Sequence, residues 1–179
     1  MTGPSRGLAQ AAHALHEDAG EYTPVFVGGK RDELEMICTR YPTRMAALLP
    51  ALWMIQEERG WISENAMAEV AEVLGLTPAY VKSVVTFYYM YHQHPVGQYF
   101  IQVCTTSPCG ICGADDVVRA LLRETKCGEL GETSPDGKYT VIEVECLGAC
   151  GFATPLMVND DFVESVTVDT VPQLLERYQ

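Results

Sequence analysis

Residues 98–125 read QYFIQVCTTSPCGICGADDVVRALLRET. Apolar and polar side chains alternate up to Val103, three cysteines follow within nine residues, and behind Asp115 and Asp116 the apolar positions recur at helical spacing. A period of two predicts a strand. Recurrence at three and four predicts an amphipathic helix whose first-turn acids suit the positive end of its dipole. A strand that enters a helix through a cysteine loop is one leg of an α/β unit with its sulfurs at the strand end.

Downstream, SPDGKYTVIEVEC (134–146) reads as a turn and a strand, and PLMVND (155–160) and FVESV (162–166) as two more strands around a tight turn at Asp160 and Asp161. TVPQLLERYQ (170–179) closes the chain as a helix. Upstream, Pro95 and Gly97 in HQHPVGQ mark a boundary. Before it the pattern is helical. Leu48, Leu49, Leu52, Ile55 and Gln56 fall at spacings of three and four, with a break at Gly60. SENAMAEVAEVLG follows, with Ser63 as N-cap, Met67, Val70, Ala71 and Leu74 on one face and Gly75 as the stop. TPAYVKSVVTFYYMY opens on Thr77 as cap and Pro78 at the first helical position. The aromatic run Phe87, Tyr88, Tyr89 and Tyr91 is read first as core, and alternatively as a contact surface, where tyrosine is enriched.

The expected organisation is a flexible extension over 1–30, a small helical bundle over 31–94 and an α/β (α+β) domain over 95–179. His13 and His16 lie in the extension without a third ligand nearby and are read as solvated side chains.

The 179 residues carry 24 acids against 12 Lys and Arg, a net charge of −12. That sign opposes phosphate neutralisation, so nucleic-acid binding is not expected. No apolar run of about 18 residues spans a bilayer, and the first 22 residues show neither a secretory leader nor a transit peptide. A reducing cytoplasm is the expected setting. Seven cysteines, an odd number, cannot all pair there, so clustered cysteines read as ligands or redox groups.

Cys38 and Cys127 stand alone and read as small hydrophobes. Three readings compete for the other five. Cys109 and Cys112 could form a C-x-x-C dithiol at a helix N-terminus. Cys104, Cys109 and Cys112 could join Cys146 in the plant-type ferredoxin spacing. Alternatively, the pairs Cys104/Cys109 and Cys146/Cys150 lie on two loops at adjacent strand ends. Each pair could hold one iron of a two-iron cluster, with Gly148 and Gly151 letting backbone amides approach and Cys112 a spectator in the first helical turn. A tetrahedral zinc site could use the same four sulfurs.

The stretches CTTSPCGICGADDV (104–117) and SPDGKYTVIEVECLGACGFATPLMVND (134–160) resemble the thioredoxin-like [2Fe-2S] ferredoxin family, and within it the 24 kDa subunits of NADH:quinone oxidoreductase. EERGWISENAMAEVAEVLGLTPAYVKSVVTFYYMYHQHPVGQYFIQVC (57–104) is similar to the helical half of those subunits. The likeness runs from about residue 34 to the end. It implies a helical bundle followed by a thioredoxin-like ferredoxin domain, with Cys104, Cys109, Cys146 and Cys150 as ligands of one [2Fe-2S] cluster.

It further implies single-electron exchange with the FMN of a partner flavoprotein subunit, which binds NADH as well, and an assembly containing further iron–sulfur subunits. The isolated chain would not catalyse, since no dinucleotide fingerprint or base–nucleophile pair is present. Its place would be peripheral, on the cytoplasmic side of the inner membrane through that assembly. A diaphorase subunit of an NAD-linked hydrogenase or formate dehydrogenase is the alternative host. A zinc-stapled assembly protein or a dithiol oxidoreductase is the alternative of another class. Two features depart from the family pattern: Thr154 stands where the family has proline, and Cys112 lies outside the motif.

Overall fold

A computed structural model describes residues 22–178, and His13 and His16 lie outside it. The chain divides into two compact units, one up to Pro95 and one from Val96.

The first unit is helical: α1 (Gly29–Cys38), a 3₁₀ turn (Arg44–Ala47), α2 (Leu48–Arg59), α3 (Glu64–Leu74) and α4 (Pro78–Phe87). The expected caps are in place. The Ser63 hydroxyl accepts from Ala66 N at 3.2 Å and that of Thr77 from Tyr80 N at 3.3 Å, each satisfying an amide that the first turn leaves free. Gly75 ends α3 in the left-handed conformation. Leu34, Leu52, Ile55, Ile62, Val70, Val81 and Val85 are fully buried between the helices. Gln56, counted by its spacing with the apolar set, is buried as a polar clamp. Its Nε2 donates to Met90 O at 2.8 Å and its Oε1 accepts from His92 N at 2.7 Å, which fixes the segment leaving α4.

Two expectations need correction here. The segment before residue 30 is not loose over its described part, because Val25 N and Phe26 N both donate to the Glu69 carboxylate on α3, at 3.1 and 2.7 Å. Val25 and Phe26 are buried against the bundle. The aromatic run also divides: Tyr91 is buried, while Phe87, Tyr88 and Tyr89 are exposed, Phe87 by 73%. The helix ends at Phe87, so its period no longer governs where the following rings point.

The second unit is a four-stranded sheet in the order β2–β1–β3–β4, with β1 (Tyr99–Cys104), β2 (Tyr139–Val144), β3 (Leu156–Val158) and β4 (Asp161–Val163). β1 runs parallel to β2, with Cys104 opposite Val144, and antiparallel to β3, with Val103 opposite Leu156. β1 is therefore an inner strand. Gly97 enters this sheet so tightly that a Cβ there would lie 2.7 Å from the backbone of Tyr139, and its amide donates to Thr140 Oγ1 at 2.7 Å.

Between β1 and β2 the expected single helix is two. A short α5 (Ser107–Ile111) ends at Cys112, Gly113 turns with φ +93°, and α6 (Ala114–Thr125) follows. Cys112 is thus the C-cap of α5 and not part of the first turn of the next helix. The last two strands are shorter than the sequence suggests and turn at Asn159, which has positive φ, so that Asp161 already belongs to β4. A 3₁₀ turn (Val168–Thr170) leads into α7 (Val171–Glu176). Ile101, Val103, Leu121, Val141, Leu156 and Val171 form the fully buried centre of this unit. No single helix among the described residues is long and apolar enough to cross a membrane.

Candidate metal centre

The C-terminal end of β1 is tied on both sides: Cys104 N donates to Pro155 O at 3.2 Å, and Thr105 N to Val144 O at 3.3 Å. The cysteine that ends the strand is thereby fixed in place by backbone bonds. α5 then folds back for little more than one turn and returns Cys109 to it, with the two sulfurs 3.4 Å apart. Both are buried, and with Ala114 they form a small apolar cluster of their own, closed by Leu147 and Ala153. Four sulfurs held about 2.3 Å from one metal lie about 3.8 Å from each other, so this separation is close to one edge of a metal tetrahedron.

The two thiols differ in acidity. Burial pushes the Cys104 thiol up, but hydrogen bonds from the Thr106 hydroxyl and from the backbone amides of Leu147 and Thr106 outweigh it, and the net shift is downward. Cys109 is pushed up to about 12, first by burial and then by its hydrogen bond to Cys104 and by the charges of Cys104, Cys150 and Cys112. The Cys104 thiol is shifted toward ionisation, while its neighbour is shifted toward the protonated form and donates to it. The Leu147 amide belongs to the second cysteine loop, so the two loops meet at Cys104.

That second loop leaves β2 and carries Cys146 and Cys150, both exposed. Gly148, at φ +79°, aims its amide at Cys146 Sγ over 3.4 Å. Gly151 lies in a 3₁₀ turn (Cys150–Phe152). The loop's return is anchored by Ser165 N to Phe152 O and Val166 N to Thr154 O, each 2.9 Å.

Of the four expected ligands, the structure brings Cys104 and Cys109 to within metal-binding distance of each other. It leaves Cys150 near enough for its charge to be felt at Cys109, and it keeps Cys146 and Cys150 at the surface. Among the described residues no group of three or more His, Cys, Asp or Glu is gathered for a single metal ion. Two cysteine pairs on neighbouring loops, with the Leu147 amide at Cys104 and the Gly148 amide at Cys146, make a donor set that could hold a two-iron cluster, one pair to each iron.

Cys112 is exposed at the end of α5, beside Ile111, which is 87% exposed. Cys109 sits within α5 with a raised pKa, whereas a reactive dithiol needs a lowered one, which weighs against the C-x-x-C reading. Cys38 and Cys127 are buried among apolar neighbours, as expected of small hydrophobes. Sequence reasoning missed Thr106 and the Leu147 amide as donors. The signal for Thr106 was the hydroxyl two residues past Cys104. The amide of Leu147 left no mark, since a backbone group carries no residue type.

Residues 34–179 match the family described as thioredoxin-like [2Fe-2S] ferredoxin. The chain belongs to this family. As a family member it is of the kind that binds a [2Fe-2S] cluster. It is 38% identical over 177 residues to the mitochondrial NADH dehydrogenase [ubiquinone] flavoprotein 2 of Dictyostelium discoideum, covering 97% of this chain and 71% of the relative. To the NADH-quinone oxidoreductase subunit 2 of Thermus thermophilus it is 40% identical over 153 residues, covering 84% of this chain and 84% of that relative.

This ferredoxin is thus a homologue of these NADH-quinone oxidoreductase subunits, an electron-transfer subunit of that enzyme complex. The crystal structure of an NAD+-reducing [NiFe]-hydrogenase shares its fold, with a TM-score of 0.62 at 21% identity over 74% of this chain, which spans 22% of the hydrogenase chain. The peptide between Ala153 and Thr154 is cis, with threonine at the position where the family resemblance led us to expect proline.

Proposed function

We propose that this chain carries one [2Fe-2S] cluster on Cys104, Cys109, Cys146 and Cys150 and exchanges single electrons with the FMN of a partner flavoprotein subunit. That partner also binds NADH, within an assembly holding further iron–sulfur subunits at the cytoplasmic face of the inner membrane. The observation that carries this reading is the Cys104–Cys109 pair, reached by the Leu147 amide from the loop that holds the other two cysteines.

When bound, the cluster supplies a centre that takes up and gives back one electron at a time. The chain's residues supply the rest. β1 and its two neighbours fix Cys104, α5 fixes Cys109, and the Leu147, Thr106 and Gly148 amides offset negative charge at the sulfurs. Burial of the first pair keeps water from two of the ligands, while the exposed Cys146 and Cys150 face the side from which a redox partner can approach. The greater identity to the oxidoreductase subunits favours that host over an NAD-linked hydrogenase, where the likeness is one of fold.

Low-temperature EPR of the anaerobically purified chain tests the reading. Close to one S = 1/2 spin per chain after dithionite, and none before, is the expected result. An intact chain with zinc or no metal and no signal overturns it.

A further inference from the structure

The hydroxyl of Thr154 is buried, 1% exposed, and has no hydrogen-bond partner among the described residues. Its backbone neighbours both belong to the sulfur site. Ala153 packs against Cys104, Cys109 and Ala114, and the carbonyl of Pro155 accepts from Cys104 N at 3.2 Å. A hydroxyl withdrawn from water without a partner is costly, and a valine would fill the same space with no polar atom. Packing therefore gives no reason for the hydroxyl, while the chemistry next to it does. Both chain neighbours of Thr154 touch Cys104, Ala153 by packing and Pro155 through its carbonyl, and a cluster bound there would add negatively charged sulfur acceptors that the protein alone does not offer.

We propose that Thr154 is a positioning and tuning residue whose Oγ1–H donates to a sulfur at the Cys104–Cys109 end of the bound [2Fe-2S] cluster. The inference rests on the cluster reading above and adds a residue to it. A donor to a cluster sulfur favours the reduced, more negative state, so Thr154 holds the reduction potential above the value it would have without the hydroxyl. Thr106 cannot serve the same end freely, because its hydroxyl lies within reach of both Cys104 Sγ, at 3.1 Å, and Glu145 O, at 3.2 Å, and has one hydrogen to give. Thr154 has no such competitor.

The experiment compares the full, cluster-loaded chain with Thr154→Val and Thr154→Ser. Two quantities are read: the midpoint potential by EPR-monitored titration, and the number of exchangeable deuterons coupled to the reduced cluster after transfer to D₂O. The valine variant is expected to shift the potential downward and to lose one coupled deuteron, and the serine variant to restore both. Thr154→Ala replaces the valine variant should the latter fail to fold or load.

An unchanged potential and deuteron count in a loaded valine or alanine variant overturns the assignment, and a change in melting temperature alone counts as the same negative result. A wild-type chain that binds no iron overturns the cluster reading itself, and with it this inference. That failure is recognised before any variant is compared.

Discussion

Cys104 and Cys109 carry the same thiol and are driven in opposite directions by neighbours a few ångströms away. Hydrogen bonds favour the Cys104 thiolate, and burial keeps the Cys109 proton in place. Alkylation rate follows both thiolate fraction and access. In the metal-free chain, mass-spectrometric mapping with iodoacetamide should therefore find the exposed Cys112, Cys146 and Cys150 labelled first and Cys109 last. Loading the cluster should then protect Cys146 and Cys150 and leave Cys112 reactive. Protection of Cys112 with Cys150 still labelled would show the plant-type spacing instead. Substitution follows the same division: Cys109→Ser or Cys146→Ser should abolish or severely deplete the visible absorption and bound iron, and Cys112→Ser should retain both.

At the scale of elements, the segment leaving α4 depends on one polar side chain. Gln56→Leu removes both the donor to Met90 O and the acceptor from His92 N, groups that the fold has partly withdrawn from water. A loss of about 1–3 kcal/mol is expected from such unpaired groups, read as a lower denaturant midpoint at unchanged slope. His92, in the same segment, has its pKa lowered to about 4 by burial and then by the charge of His94.

The unfolded imidazole titrates near 6.5, so between about pH 6.5 and 4 the unfolded chain binds the extra proton. Stability should be full above that window and fall as pH drops through it. His92→Gln should flatten this slope in urea midpoints measured at successive pH values, and an unchanged slope would remove His92 from the account.

Much of this level was legible beforehand. Ser63 and Thr77 announce helix starts because a short hydroxyl competes locally for free amides, and β1 announces itself by its period. The break at Gly113 was not legible, because Ile111, Cys112 and Ala114 fit a continuing helix as well as a broken one. Neither was the docking of residues 25 and 26, which depends on Glu69 more than forty positions away.

For the whole molecule, the division at Pro95 and Val96 separates two cores with different dependences. The buried residues of the helical unit include one cysteine, Cys38, remote in sequence from the sulfur loops, and its stability rests on apolar packing and the Glu69 and Gln56 clamps. In the sheet unit, β1, α5 and the loop after β2 converge on sulfurs, two of them buried against each other. Whatever binds the folded site and not the unfolded chain stabilises the unit that contains it by mass action.

Removing the cluster with a chelator should accordingly raise hydrogen-exchange rates in β1, α5 and residues 145–155 by tenfold or more. Rates in α2, α3 and α4 should stay within about twofold. Equal acceleration in both halves would mean that the helical unit draws its stability through the cluster-bearing one, and the two-unit account of the chain would fail. Unequal acceleration would locate the cluster's stabilising effect where the cysteines are, since the described buried core of the helical unit holds none of the four proposed ligands.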